Sequence, residues 1–328
     1  MPLSARRRNH IVKKIASLIH EKRSFFLSGH RKPDGDTVGS ELAMESLLRR
    51  LGKSVDVYNA ESVPESLLFL PGARRIRTAR KVSKNYDAAV IFECFDSDRM
   101  GNIIDLKKQA EITVNIDHHI LHSHFGDINL INTEASSNSE QLFYLFEELG
   151  LPITKDEAAC LYTGIMADTG RFQHSNTNAE TLRIASNLVR RGANPSFLCE
   201  KIYGTRNFSS LKLLGFALST LTIASGNKIA YAKIRQSDFK RTRSSDEETE
   251  EIVNYGLQVP SVLISLLLRE TSKKNVIKAS LRSRRNVNVC DLAQRFGGGG
   301  HKYASGCRVE ADIDTVLQNI LARARQLV

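Results

Sequence analysis

Four short apolar runs, residues 24–28, 54–58, 88–92 and 112–116, fall in the first half of the chain and alternate with helix-patterned stretches. Brief apolar runs spaced by amphipathic segments are the pattern of βαβ units, because a strand buried on both faces has no polar side to display. This predicts an α/β architecture whose N-terminal part is a mainly parallel sheet with helices on both faces. The stretch after Thr37 reads as a helix to about Leu51, with Gly52 as its stop, and residues 141–149, 156–167, 179–191 and 195–203 read as further helices. Asn194 followed by Pro195 is a cap and first-turn pair.

Beyond residue 206 the pattern changes. A further helix leads into a strand at 228–234, residues 262–268 and 276–281 read as paired strands, and 289–296 as a helix before four glycines and His301. A chain of 328 residues is long enough for two cores. We expect a catalytic domain over residues 1–205, a linker helix region over 206–220, and a smaller α/β domain with a mixed sheet over 221–328. The acidic run at 246–251 is expected to be a solvated helix start.

Composition narrows the function. No stretch approaches the 18 or more uninterrupted apolar residues of a membrane span, and Arg6-Arg7-Arg8 precedes a segment too broken by Lys13 and Lys14 for a signal peptide. Five dispersed cysteines without a C-x-x-C pair point to a reducing, cytoplasmic setting rather than a disulfide frame or zinc knuckle. The formal net charge of +11 favours polyanionic partners such as nucleic acid.

Chemistry-bearing residues gather at the ends of the expected strands. His30, Asp34 and Asp36, spaced H-x3-D-x-D, follow the first run and precede a helix, so one imidazole and two carboxylates can converge at the carboxyl edge of the sheet. The plain alternative is a polar turn in which Asp36 caps the helix. Asp117-His118-His119 leaves the fourth run in the same way, and Glu93 ends the third, with Asp96, Asp98 and Arg99 close behind. Asp168 closes an otherwise apolar helical run, where a buried acid wants a cation. Oxygen and imidazole donors without thiolate suit Mn²⁺ or Mg²⁺. Near the C-terminus, Gly297 to Gly300 before His301 would let backbone approach an anion, and a helix beginning near His301 would aim N–H groups at it.

The ordered set of H-x3-D-x-D, Asp-His-His, a late Asp-Thr-Gly and a terminal Gly-Gly-Gly-Gly-His resembles the DHH phosphoesterase family. The C-terminal half resembles the DHH-associated domain of nanoRNases, RecJ-like exonucleases and alanyl-tRNA synthetases. Length and layout fit the bifunctional oligoribonucleases and 3′-phosphoadenosine 5′-phosphate phosphatases. The resemblance implies two divalent ions, usually Mn²⁺, with Mg²⁺ or Co²⁺ as substitutes. His30 and Asp34 would hold one, and Asp36, His118 and Asp168 the other. The bridging acid aligns with Glu93, where the family usually has Asp; either the loop retracts around the longer Glu93, the alternative we favour, or Asp96 takes the role. Asp117 would orient a neighbouring histidine, and His119 would stand at the scissile phosphate. Arg99 would clamp phosphate or pair with Asp96 or Asp98, and Arg282, Gly298, Gly299, Gly300, His301 and Ser305 would bind substrate.

The implied activity is two-metal hydrolysis of short single-stranded RNA or of 3′-phosphoadenosine 5′-phosphate. Hydrolysis of linear dinucleotides from cyclic dinucleotide signalling, a non-catalytic RNA-binding module and a manganese pyrophosphatase are the competing readings. The intact donor set disfavours the binder, and the glycine-histidine motif disfavours the pyrophosphatase. Oligomeric state, a homodimer included, stays open.

Overall fold

The structure is a computed structural model that describes residues 4–94, 96–119, 125–204, 207–249 and 251–328. Two units divide at Thr205 and Arg206. In the first, the strands are β1 (Ser24–Ser28), β2 (Ser54–Asn59), β3 (Arg77–Thr78), β4 (Tyr86–Phe92), β5 (Ala110–Asp117) and β6 (Ile128–Ile131). They form one sheet in the order β3-β2-β1-β4-β5-β6, parallel throughout. The order reverses between β1 and β4, and the carboxyl ends of those two neighbours flank the crevice where such sheets bind ligands.

The helices of this unit are α1 (Ala5–Glu21), α2 (Gly35–Arg50), α3 (Ser97–Met100), α4 (Leu106–Gln109), α5 (Asn138–Glu148), α6 (Lys155–Asp168), α7 (Ala179–Arg190) and α8 (Pro195–Cys199). Strand residues alternate between two cores, as the period of two requires. Phe25, Leu27, Val90, Phe92, Val114 and Ile116 join the long helices in the larger cluster. Phe26, Ala89 and Ile91 join Val82, Met100, Ile103, Ile104 and Leu106, the cover supplied by α3, α4 and their flanking loops.

Helices α2 and α6 approach closely because both are glycine at the contact. A Cβ on Gly39 would sit 2.4 Å from the Cys160 carbonyl oxygen, and one on Gly164 would sit 2.4 Å from Asp36 Oδ1. Starts are fixed by side chains: Asp34 caps α2, Ser137 caps α5, and Thr154 with Glu157 closes a capping box on α6.

The second unit comprises α9 (Phe208–Ser219), β7 (Thr222–Ala224), β8 (Ile229–Ile234), α10 (Gln236–Thr242), β9 (Ile264–Glu270), β10 (Val276–Ser283), α11 (Val289–Gln294), β11 (Gly299–His301), β12 (Ala304–Glu310) and α12 (Ile313–Ala324). Its sheet runs β11-β12-β10-β9-β8-β7 and is mixed, since only β8 and β9 pair in parallel. Helices α11 and α12 pack on one face and α9 and α10 on the other, where Leu213 and Ala217 meet Ala232, Ile234 and Phe239. The acidic run opens a short 3-10 helix, Asp246–Thr249, and Asp246 pairs at 3.2 Å with Arg269, which is 3% exposed.

One expectation fails here. No helix begins near His301. Gly299–His301 is a strand that folds back on β12, with Gly300 opposite Ser305 and His301 opposite Ala304. The glycines answer this hairpin: a Cβ on Gly298 would lie 2.2 Å from the Gly306 carbonyl, and one on Gly300 would lie 2.6 Å from the Ala304 carbonyl. A run of glycine has no side chain to report which backbone state it takes, so loop, cap and tight strand read alike.

Candidate metal centre

The crevice between β1 and β4 gathers the acids and histidines. His30 leaves β1 two residues after its end, and its Nε2 lies 3.1 Å from Glu93 Oε2 and 3.5 Å from Asp34 Oδ2. Asp34, and not Asp36, caps the next helix: its Oδ1 accepts from the N–H of Asp36 and of Thr37, each at 3.1 Å. Oδ2 is thereby left toward His30. Asp36 lies in the first turn of α2, wholly buried, and reaches across to α5, where Oδ2 accepts from Asn138 N at 2.6 Å and Oδ1 from Ser139 N at 2.9 Å. The positive end of α5 thus answers part of its charge.

Glu93 follows β4 in a left-handed conformation, φ 56, while its N–H still bonds the Ile116 carbonyl at 3.1 Å. For a non-glycine residue this backbone costs about 1–2 kcal/mol. The turn places its 1% exposed carboxylate between the two histidines, Oε2 toward His30 and Oε1 3.4 Å from His118 Nε2. Thr37 Oγ1 donates to Oε2, a contact visible beforehand only as a hydroxyl beside Asp36. Asp96 is elsewhere: it caps α3, accepting from Arg99 N at 2.7 Å. Arg99 Nε donates to the Glu93 carbonyl at 2.9 Å, which ties α3 to the turn.

Asp117 ends β5 and its Oδ1 accepts from the backbone N–H of His118 and His119 and lies 2.8 Å from His119 Nδ1. That pairing fixes the His119 ring and, in its neutral form, makes Nε2 the accepting nitrogen. His118 Nε2 lies 2.8 Å from Asp168 Oδ2, the last residue of α6. Yet this nitrogen is buried and makes no hydrogen bond.

Donor atoms therefore fall into two groups, each within 4.8 Å internally: His30, Asp34 and Glu93, and Asp36, Glu93, His118 and Asp168. Glu93 belongs to both. A third grouping joins Glu93, His118 and His119.

The electrostatics are those of a site awaiting positive charge. Burial opposes charge on His30, but Asp34 and Glu93 outweigh it and push the ring up to about 10. Burial likewise opposes charge on His118, and Asp168 and Glu93 raise it well above the ordinary imidazole range. Asp36 is driven up by burial and by the neighbouring Asp168 and Glu93, and Asp168, chiefly by burial, rises to about 6. Burial opposes charge on Glu93 too, but His118 and His30 hold it well below the carboxylate range. Divalent cations fit this set: they would replace the histidine protons, hold the acids ionised, and give the orphaned His118 nitrogen a partner.

Further residues that the sequence reading missed support the centre. Glu41 of α2 is wholly buried and pushed up to about 8 by burial; its Oε2 accepts from Asn59 Nδ2 at 2.9 Å, and Asn59 Oδ1 accepts from Gly29 N at 3.2 Å. Asn176 Nδ2 donates to the carbonyls of Asp168 and Ser136, both at 3.1 Å, joining the end of α6 to the entry of α5. Polar residues in an apolar helical stretch, as Glu41 is, are the signal that could have found the first; Asn176 offered none.

In the second unit the structure puts Arg282 on β10 opposite Ala304 and Ser265, with its Nη1 donating to the Leu281 carbonyl at 3.0 Å. Ser305 lies opposite Gly300 and Leu281 and so shares the buried face of Leu281, the face away from Arg282, while Gly299 pairs with Gly306. Cys290 Sγ donates to the Gly300 carbonyl at 3.0 Å, locking the hairpin to α11. The His301 side chain lies outside the described residues.

A nucleotide-binding type of parallel sheet with a cluster of acids and histidines at its switch point is the framework of a metal-site phosphoesterase. Residues 24–165 match the DHH family N-terminal domain and residues 226–328 the DHHA1 domain, and the chain belongs to the DHH phosphoesterase family. It is 28% identical over 302 residues to the bifunctional oligoribonuclease and PAP phosphatase NrnA of Thermus thermophilus, covering 92% of this chain and 89% of that protein. The Bacillus subtilis protein of the same name is 26% identical, with 89% and 94% covered. The crystal structure of an exopolyphosphatase-related protein from Bacteroides fragilis superposes with a TM-score of 0.91 at 28% identity, covering 97% of each chain.

Proposed function

We propose that the chain hydrolyses short single-stranded oligoribonucleotides to mononucleotides and 3′-phosphoadenosine 5′-phosphate to AMP, with two divalent ions, manganese foremost. The observation that carries this is the sharing of Glu93 by two donor groups, an arrangement suited to two cations side by side. The names of the NrnA relatives supply the substrate classes. His30 and Asp34 would hold one ion and Asp36, His118 and Asp168 the other, with Glu93 common to both groups.

Bound ions of this kind supply Lewis-acid activation of water and neutralise charge on the phosphoryl oxygens. The protein's part is positioning. Asp117 holds the His119 ring for the scissile phosphate or its leaving oxygen. Arg99, whose Nε donates to the Glu93 carbonyl, stands at the turn of the shared acid and is the candidate phosphate clamp. The unit ending at residue 205 performs the cut, the helical stretch 206–220 leads on from it, and residues 221–328, with Arg282, Ser305 and the glycine hairpin through His301, grip the nucleotide.

The test is a panel of di- to pentaribonucleotides, 3′-phosphoadenosine 5′-phosphate and linear dinucleotides, each with EDTA-stripped protein given back Mn²⁺, Mg²⁺ or Co²⁺. Turnover restored best by Mn²⁺ on the first two classes is expected. Full turnover in excess EDTA overturns the two-metal reading, and exclusive use of linear dinucleotides overturns the substrate assignment.

A further inference from the structure

The formal charge is unevenly spread: residues 73–84 hold six lysines and arginines and no acid. Three of the six are answered within the unit, Arg75 by Glu45 and Arg77 and Lys84 by Asp56. Arg80 and Lys81 are exposed and have no carboxylate partner among the described residues. Both line a cavity of about 390 Å³, and exposed Lys107 of α4 joins them there.

Val82, Ile103, Ile104 and Leu106 also line this cavity, but only with their edges: all four are buried members of the core on that side of the sheet, at most 7% exposed. The shape is held without a ligand: Val82 N donates to the Ile103 carbonyl at 2.7 Å, and Gln109 Nε2 donates to the carbonyls of Val82 and Lys84. Asp105, the one acid in the lining, already faces Lys108 at 3.1 Å. None of the metal-centre donors lines the cavity. Ser97 and Asn102 do, and they bracket the turn that carries Arg99 and, through it, the Glu93 carbonyl.

We propose that this cavity is an exosite for one nucleotide unit, with phosphate among Arg80, Lys81 and Lys107 and the base or sugar against Val82, Ile103, Ile104 and Leu106. Three cations beside a narrow apolar edge suit an anion that also carries a flat ring, and a nucleotide unit is such an anion. The volume lies in the range of about 300–1,000 Å³ in which small-molecule sites fall. The unit comes either from a bound RNA strand or from a free nucleoside monophosphate. The RNA source rests on the function proposed above.

The test compares Arg80→Ser/Lys81→Ser/Lys107→Ser with Arg7→Ser/Lys13→Ser/Lys14→Ser, which removes the same charge from the exposed face of α1. All six positions are exposed, so both variants should melt like the parent. Fluorescein-labelled pentaadenylate is titrated by anisotropy in EDTA, where turnover plays no part, and AMP is titrated by calorimetry. The exosite variant should bind pentaadenylate about tenfold more weakly, with a slope of log Kd on log salt shallower by about 0.7, the value for one lost phosphate contact on a single strand. The α1 variant should stay near the parent. Loss of AMP binding as well assigns the site to free nucleotide and strand alike; unchanged AMP binding assigns it to the strand. Equal losses in the two variants, or none in the exosite variant, overturn the proposal. Dinucleotide turnover by the parent, measured separately, tests the proposed function, so the two can fail independently.

Discussion

Replacing Gly39 by alanine should loosen the helix pair that carries Asp36 and Asp168. The new Cβ would stand 2.4 Å from the Cys160 carbonyl oxygen and 3.3 Å from the Gly164 nitrogen. Ordinary contact is about 3.5 Å, so α2 and α6 must part by about 1 Å, and the atoms met are backbone, which cannot swing aside. Overpacking of this kind costs about 1–3 kcal/mol, against a gain of about 1 kcal/mol from alanine in a helix interior. The net is a destabilisation of up to about 2 kcal/mol, which for a unit of 205 residues lowers Tm by up to about 8 °C. A misplacement of about 1 Å at reacting groups can cost about 100-fold in rate, so activity should suffer more than stability. Calorimetry, Mn²⁺ titration and turnover of a dinucleotide read the three quantities. Gly215→Ala is the control: a Cβ there meets nothing within 4 Å, and stability should rise by up to about 1 kcal/mol. A Gly39→Ala protein that melts at or above the parent temperature and binds Mn²⁺ equally would refute the reasoning.

Glu93→Gln keeps the size of the bridging side chain but removes the charge that holds two cations against their repulsion, so it should lose metal and most turnover. Asp96→Asn should keep both, because asparagine caps α3 as well as aspartate does; metal loss there beside retention in Glu93→Gln would transfer the bridge to Asp96. Glu41, pushed up to about 8 from 4.5 by burial, keeps its proton in the folded metal-free protein where the unfolded chain has released it. Its stability contribution is therefore intact below about 4.5 and is lost as pH rises through about 8. In EDTA, Glu41→Gln should lose less Tm than the parent between those limits; an equally steep fall in both proteins would show that Glu41 is ionised when folded.

Much of the site could be read from sequence because strand ends are local facts. An apolar run followed by His30, by Glu93 or by Asp117 marks a carboxyl edge whatever the strand order, and H-x3-D-x-D stays within reach of one loop and one helix turn. Caps act over three residues, so the Asn194-Pro195 start of α8 was legible, whereas α5 begins at Asn138, three residues before the expected 141. The exchange of capping roles between Asp34 and Asp36 was not legible, because two carboxylates two residues apart compete for the same N–H groups and only the path of α5 decides which is free. Nor was the glycine hairpin, whose requirement comes from β12 lying against it. The residues themselves determined the donor types and their places at strand and helix ends. Tertiary structure decided that β1 and β4 lie side by side, that α2 and α6 touch through Gly39 and Gly164, and that Glu93 turns into both donor groups. These are contacts between segments distant along the chain, and they arise only when the two faces of the sheet are buried together.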